Sequence, residues 1–220
     1  MQFRGVSEYL EDLLARIDTP QLVTLDITFL HRRTIETTQL TELISSPSKF
    51  KAHNRGRVVL ESNLAFWVVA LQTLDGSLSL GISGKQPDWE LPSLAEVCSS
   101  SLPHILAMEH LYLFGGYMQQ LFGKVVIDFP DFLELLDPFV AVKSLYVSDE
   151  FTFHVAYALG SLVDERVMEV LPALQTLFLQ HPDTRESGVQ RSIGAFVTAR
   201  QFAGHPIVVS RWENISDAYN

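Results

Sequence analysis

An α/β fold with a mostly parallel sheet is predicted by three features of this sequence. The first is an apolar strand pattern, L-x-x-L-x-L, that recurs along the chain. It reads Leu22-Val23-Thr24-Leu25-Asp26-Ile27, Met108-Glu109-His110-Leu111-Tyr112-Leu113, Val142-Lys143-Ser144-Leu145-Tyr146-Val147 and Leu174-Gln175-Thr176-Leu177-Phe178-Leu179. The second is spacing. Met108, Val142 and Leu174 are separated by 34 and 32 residues, which leaves room for a helix or helix pair between strands. The third is punctuation: Pro20, Pro138 and Pro172 stand just upstream of three copies, and Pro103 near the fourth. This is the strand half of a leucine-rich repeat, a unit that stacks into a solenoid with one curved sheet and helices on its convex side.

The elements follow in order. Ser7 and the acidic residues Glu8, Glu11 and Asp12 suit the start of a helix over 8–17, by capping and by complementing its positive end. Pro20 ends it and the strand LVTLDITF follows. A second helix is expected through TTQLTELISS, before Pro47. The segment 57–83 departs from the repeat: RVVLES, LAFWVVALQ and SLSLGIS read as three strands, and Asp75-Gly76 is a hairpin signal. They predict a short antiparallel excursion from the parallel sheet. Ser93-Leu94-Ala95-Glu96 is a capping box opening a short helix through Cys98. FPDFLELLDPF reads as a helix, as do Phe151–Val163 and Asp164–Leu171. Ser187-Gly188-Val189-Gln190 is a second capping box, opening a helix that Gly204 closes. IVVSRW is a final strand. No polar or Pro/Gly-rich linker divides the chain, so 1–220 reads as a single domain.

Composition narrows the function. Of 220 residues, 47% are hydrophobic and 19% charged, as in a folded protein. The net charge of -10 disfavours nucleic acid and a polybasic membrane contact. The longest apolar run, LAFWVVAL, is too short to span a bilayer. The N-terminus carries carboxylates within its apolar run, unlike a signal peptide. Cys98 is the only cysteine, so no intrachain disulfide or thiolate cluster forms. This usage fits the cytoplasm or nucleus.

In each strand the leucines point into the core and the intervening residues point to the concave face. His110, Tyr112, Phe114, Tyr146, Ser148, Phe178 and Gln180 are thereby the candidate protein-binding residues. With strands in register, Tyr112, Tyr146 and Phe178 form an aromatic ladder. Aromatic side chains anchor protein interfaces. The alternative is that the chain's own loops cover this stripe, or that it serves cross-strand packing alone.

No catalytic constellation stands out. Cys98 reads as a packing thiol. The seven histidines form no H-x-x-x-H or H-E-x-x-H pattern, so no metal site and no cofactor is expected. Gly115-Gly116 lacks the further residues of a phosphate loop and reads as a turn. Asp149-Glu150 and Asp164-Glu165 suit helix starts better than acid/base chemistry. Trp67, Trp89 and Trp212 read as packing residues. Arg32-Arg33 and the group Lys49, Lys51, Arg55 and Arg57 read as a solvated loop, with phosphopeptide recognition the lesser option.

Several stretches resemble the C-terminal region of fungal F-box leucine-rich-repeat proteins: LDGSLSLGISGKQPDWELPSLAEVCSSSLP, MEHLYL, LLDPFVAVKSLYVSDEF, ERVMEVLPALQTLFL and IGAFVTARQFAGHPIVVSRW. The likeness covers nearly the whole chain, and the last two stretches are the most specific. The resemblance implies a repeat region that holds a protein client, while an F-box domain docks the adaptor of a cullin ubiquitin ligase. This chain opens in repeat territory, so it is expected to be a truncated member or a fragment, and to recruit an adaptor only with an upstream F-box. The expected function is a non-catalytic protein-interaction module. Its rivals are a decoy that binds clients without ligase recruitment, and a small-ligand binder or enzyme using the concave face.

Overall fold

Parallel strands joined through helices dominate the architecture. The computed structural model describes residues 2–5, 24–30, 55–61, 66–73, 76–83, 108–115, 129–162, 164–180 and 187–212, with side chains from Met108 onward. Among these residues one sheet contains nine strands. They are β1 (Gln2–Gly5), β2 (Thr24–Leu30), β3 (Arg55–Glu61), β4 (Phe66–Thr73), β5 (Gly76–Ser83), β6 (His110–Gly115), β7 (Ser144–Val147), β8 (Thr176–Leu179) and β9 (Val208–Arg211). Their order across the sheet is β1-β2-β5-β4-β3-β6-β7-β8-β9.

Only β4 runs against its neighbours. It pairs antiparallel with β3 and β5, whereas β5 runs parallel to β2 and β3 parallel to β6. The excursion is therefore a meander set inside the sheet, and it separates the first copy of the strand pattern, on β2, from the other three. Thr73 is partnered with Gly76, so Gly76 belongs to β5 rather than to the centre of the hairpin turn. β1 carries no apolar pattern and pairs parallel with β2. The helices expected over 8–17, 37–46 and from Ser93 through Cys98 lie outside the described residues.

The strands β6 to β9 repeat one design. His110, Ser144, Thr176 and Val208 lie opposite one another in register, at intervals of 34, 32 and 32 residues. The residue before each strand gives its carbonyl to the next. The Glu109 carbonyl accepts from the Lys143 and Ser144 N–H groups, at 2.8 and 3.0 Å, and the Lys143 carbonyl from Gln175 and Thr176, at 2.9 and 3.0 Å. At the other end the N–H groups of Ser148, Gln180 and Trp212 donate to Leu113, Val147 and Leu179. The backbone hydrogen-bonding groups are thus satisfied by equivalent partners in each repeat.

One face of this sheet carries the helices α1 (Phe129–Leu136), α2 (Asp149–Gly160) and α3 (Ser187–Phe202). Leu111, Leu113, Leu145, Val147, Leu177 and Leu179 point into the core beneath them. Each leucine so buried contributes roughly 1.5–3 kcal/mol. Pro130 suits the first turn of α1, where no intrahelical N–H partner is needed. Asp149 and Glu150 occupy the first turn of α2, where the helix dipole favours them. The helix predicted over Phe151–Val163 starts at Asp149 and ends at Gly160, and Val163 lies outside the described residues. Asp164–Leu171 forms only a short 3-10 turn, Asp164–Met168.

Two glycines have specific work. A Cβ on Gly160 would lie 2.7 Å from Cβ of Ser192, so the missing side chain lets α2 and α3 approach. Gly204 has φ 80°, and His205 N–H donates to Arg200 and Gly204 N–H to Gln201, a Schellman ending to α3.

The buried stripe of α3 is Val189, Ile193, Phe196 and Arg200. These positions follow helical spacing, so the arginine occupies a core position. Its Nη2 donates to the carbonyls of Pro172 (3.1 Å) and Leu174 (2.9 Å), and its Nη1 to Val167 (3.4 Å) and to Met168 Sδ (3.2 Å). Among the described residues no carboxylate pairs with it, and Nε has no partner. Burial pulls the guanidinium pKa below its ordinary value. The carbonyls it collects flank Leu171, which adopts a left-handed φ of 50°. Arg200 thus clamps a strained connection onto α3.

Candidate functional site: an aromatic ladder opposite the helices

The alternation that buries the leucines turns Tyr112, Tyr146 and Phe178 to the opposite face, where they form a cluster apart from the main core. They are register partners. Tyr112 and Tyr146 stack with ring centroids 4.2 Å apart and planes at 10°, and Tyr146 and Phe178 at 4.4 Å and 3°. Both pairs are near-parallel stacks, slightly closer than the roughly 4.5–7 Å at which aromatic pairs usually sit. Phe114 lies along the strand from Tyr112, at 6.4 Å. His110 approaches Tyr146 at 6.4 Å.

The seven sequence-derived residues divide by exposure. Tyr112 and Phe114 are 7% and 6% exposed, and Ser148 is 3% exposed. His110, Tyr146, Phe178 and Gln180 are half-buried. The accessible part of the ladder is therefore centred on β7 and β8 rather than on β6. Ser148 and Gln180 have structural duties. The Ser148 carbonyl accepts from Phe151 N–H, Thr152 N–H and Thr152 Oγ1, at 3.0, 3.1 and 3.1 Å, and so begins α2. Gln180 Oε1 accepts from the Asp149 N–H at 3.2 Å.

Trp212 is the member that sequence reasoning set aside as ordinary packing. Its ring meets Phe114 at 5.3 Å, Tyr146 at 5.6 Å and Tyr112 at 6.1 Å, the last two edge-on. The signal was the repeat interval. Shifting the β8 pattern by 32 residues aligns Trp212 with Gln180 on the outward face. Arg211 stands where the other copies have Leu or Val, which hides this copy from the L-x-x-L-x-L pattern.

No family model, curated protein or solved structure matches the chain.

Chemically, the outward rows of β6–β9 offer aromatic surface, hydroxyls, the His110 imidazole and the Gln180 carboxamide, and in register beside them on β3 stand Arg55, opposite His110, and Arg57, opposite Tyr112. No group of three or more His, Cys, Asp or Glu able to hold a metal occurs among the described residues. No helix among them is long and apolar enough to cross a membrane. His154, on α2, packs against the rings of Phe132, Phe151 and Phe153, away from the ladder. Gly115 ends β6. Gly116, Cys98, Trp89, the Arg32-Arg33 pair, Lys49 and Lys51 lie outside the described residues, and Arg55 and Arg57 lie on β3. Glu109 pairs with Lys143, at 2.6 Å, on the approach to β6 and β7. The Lys143 hydrogen bond, and then its charge, holds the Glu109 carboxyl below its usual range.

Proposed function

We propose that this chain is a non-catalytic protein-interaction module. In this reading it is a leucine-rich-repeat-like solenoid whose strand face opposite the helices holds a protein client. The observation that carries the reading is the aromatic ladder, stacked in register and half-exposed at Tyr146 and Phe178. Aromatic side chains on a rigid sheet anchor a partner at small entropic cost. The recurring strand unit and the sequence likeness to the client-binding region of F-box ubiquitin-ligase adaptors support the same reading. Action in the cytoplasm or nucleus belongs to this proposal, and ligase recruitment enters it only where F-box helices accompany the repeat region.

Two variants test it. Leu145 is fully buried, so Leu145→Ala is expected to destabilise the fold by about 2–5 kcal/mol. Tyr146→Ala removes two ring stacks of about 0.5–1.5 kcal/mol each, beyond the area it exposes, and should still fold. Thermal unfolding is measured beside capture of binding proteins from source extract. The reading requires Tyr146→Ala to remain folded and lose proteins that the unsubstituted chain retains. Unfolding as severe as that of Leu145→Ala, or an unchanged captured set, would sink it.

A further inference from the structure

We infer that the client segment seated on this face is acidic: an extended stretch that sets an Asp or Glu beside Arg55 and Arg57 and an aromatic or aliphatic side chain on Tyr146 and Phe178. The inference rests on the protein-binding reading above and names the chemistry of the partner. It is carried by a juxtaposition across the β3–β6 pairing. Arg55 is the register partner of His110, and Arg57 of Tyr112. The row of Tyr112 continues to Tyr146 and Phe178, the half-buried rings. On the β3 side, the row of rings therefore ends at an arginine position. A second arginine stands two residues along β3, on the same face by strand alternation.

This charge runs against the chain as a whole, whose net charge is -10. In the two rows that hold Arg55 and Arg57, Asp26 on β2 is the only carboxylate among the described strands. It stands three strands from Arg57, and Glu61 stands four residues along β3. Ordinary strand geometry makes each separation about 14 Å, beyond the Debye length of about 8 Å at physiological salt. Glu109, just before β6, is engaged by Lys143 at 2.6 Å. A client carboxylate beside β3 would supply the charge these rows lack, and its planar fork matches a guanidinium. Tyr146 and Phe178 lie two and three strands from Arg57. At the usual strand spacing that is about 10 and 14 Å. An extended peptide advances roughly 3.3–3.6 Å per residue, so the acid and the apolar side chain belong about three or four positions apart.

The test is selection of phage-displayed random peptides on the full chain, followed by titration of the winners as synthetic peptides. They are titrated against the unsubstituted chain, Tyr146→Ala, and the double variant Arg55→Gln, Arg57→Gln, with circular dichroism to check that each variant is folded. The expected winners carry Asp or Glu about three or four positions from an aromatic or aliphatic residue. Tyr146→Ala should weaken them about tenfold or more. The arginine variant, and separately an acid-to-amide change in the peptide, should each weaken them about tenfold, with no further loss when the two are combined. The change in the peptide keeps the inference open to refutation even if the arginine variant does not fold. Winners without an acid, winners indifferent to the amide change, or winners whose acid is not coupled to the arginines overturn the inference. They leave the face in place provided Tyr146→Ala weakens them. A chain that enriches no phage but retains phosphoserine peptides, and loses them on Tyr146→Ala, has the same meaning. If nothing binds, or if winners bind Tyr146→Ala unchanged, the inference and the face reading fall together.

Discussion

The side-chain carbonyl of Gln180 accepts a hydrogen bond of 3.2 Å from the backbone N–H of Asp149. A residue at the end of β8 thereby serves the first turn of α2, a helix that precedes β8 in the chain. The bond satisfies one of the orphan donors at a helix start. Gln180→Ala should lower stability by about 0.5–2 kcal/mol, the usual loss on removing a helix cap. Gln180→Glu keeps the acceptor but sets a carboxylate near Asp149 and Glu150, so it should restore only part of the loss. Urea unfolding of the three proteins measures this.

Gly160 reverses the usual helix-propensity rule. In an exposed helix, Gly→Ala is stabilising by up to about 1 kcal/mol. Here the new methyl would lie 2.7 Å from Ser192 Cβ and 3.0 Å from the Ser192 backbone. Gly160→Ala should destabilise by about 1–3 kcal/mol, the cost of overpacking. Ser192→Gly should recover part of it in the double variant, because it removes the Cβ in closest conflict. Additive effects of the two substitutions would contradict this account.

Arg200 should tolerate neither Lys nor Met. Lysine has one ammonium, which cannot reproduce a fork reaching the carbonyls of Val167, Pro172 and Leu174. Methionine leaves those carbonyls without their donor. Each buried acceptor so abandoned costs about 1–3 kcal/mol, so either variant should lose about 3 kcal/mol or more. Hydrogen exchange should show the loss first at the amides from Glu169 to Leu174, since this connection is what the guanidinium holds.

The Glu109–Lys143 pair predicts a small acid-sensitive step. The carboxyl pKa is lowered in the folded state, so its contribution is present above the unfolded glutamate pKa and is lost as pH falls through the folded value. Lys143→Met should bring the Glu109 carboxyl back toward the ordinary glutamate range in a chemical-shift titration. Salt should do the same in part, because both side chains are well exposed. Asp137 moves the opposite way: burial raises its pKa, opposed by the Arg166 charge. Its ionisation therefore weakens the fold as pH rises from the unfolded value through the folded one.

The α/β character and the leucine-inward alternation of β6–β8 were legible because a two-residue period and a recurring interval both marked them. The position of Gly204 was legible for the same kind of local reason: a helix ending of this type needs a left-handed residue. Three things were hidden. β9 lacks the apolar pattern because its outer edge has no strand beside it among the described residues, which relaxes the demand at Arg211. Arg200 reads as a surface residue until the spacing of Val189, Ile193 and Phe196 is extended one step further. The place of Trp212 in the ladder depends on its reaching Phe114, Tyr146 and Tyr112 from β9, contacts no local window contains.

That reach changes how the repeats depend on one another. In a linear array each unit senses only the units on either side, and a local defect stays local. Trp212 joins the last strand of the run to the first, touching Tyr112 across two intervening strands and 100 residues of chain. The contact can form only after β7 and β8 are in place, so it reports completion of the whole run. Loosening of β9 at the C-terminal edge is therefore expected to be felt at β6, at the far side of the four parallel strands.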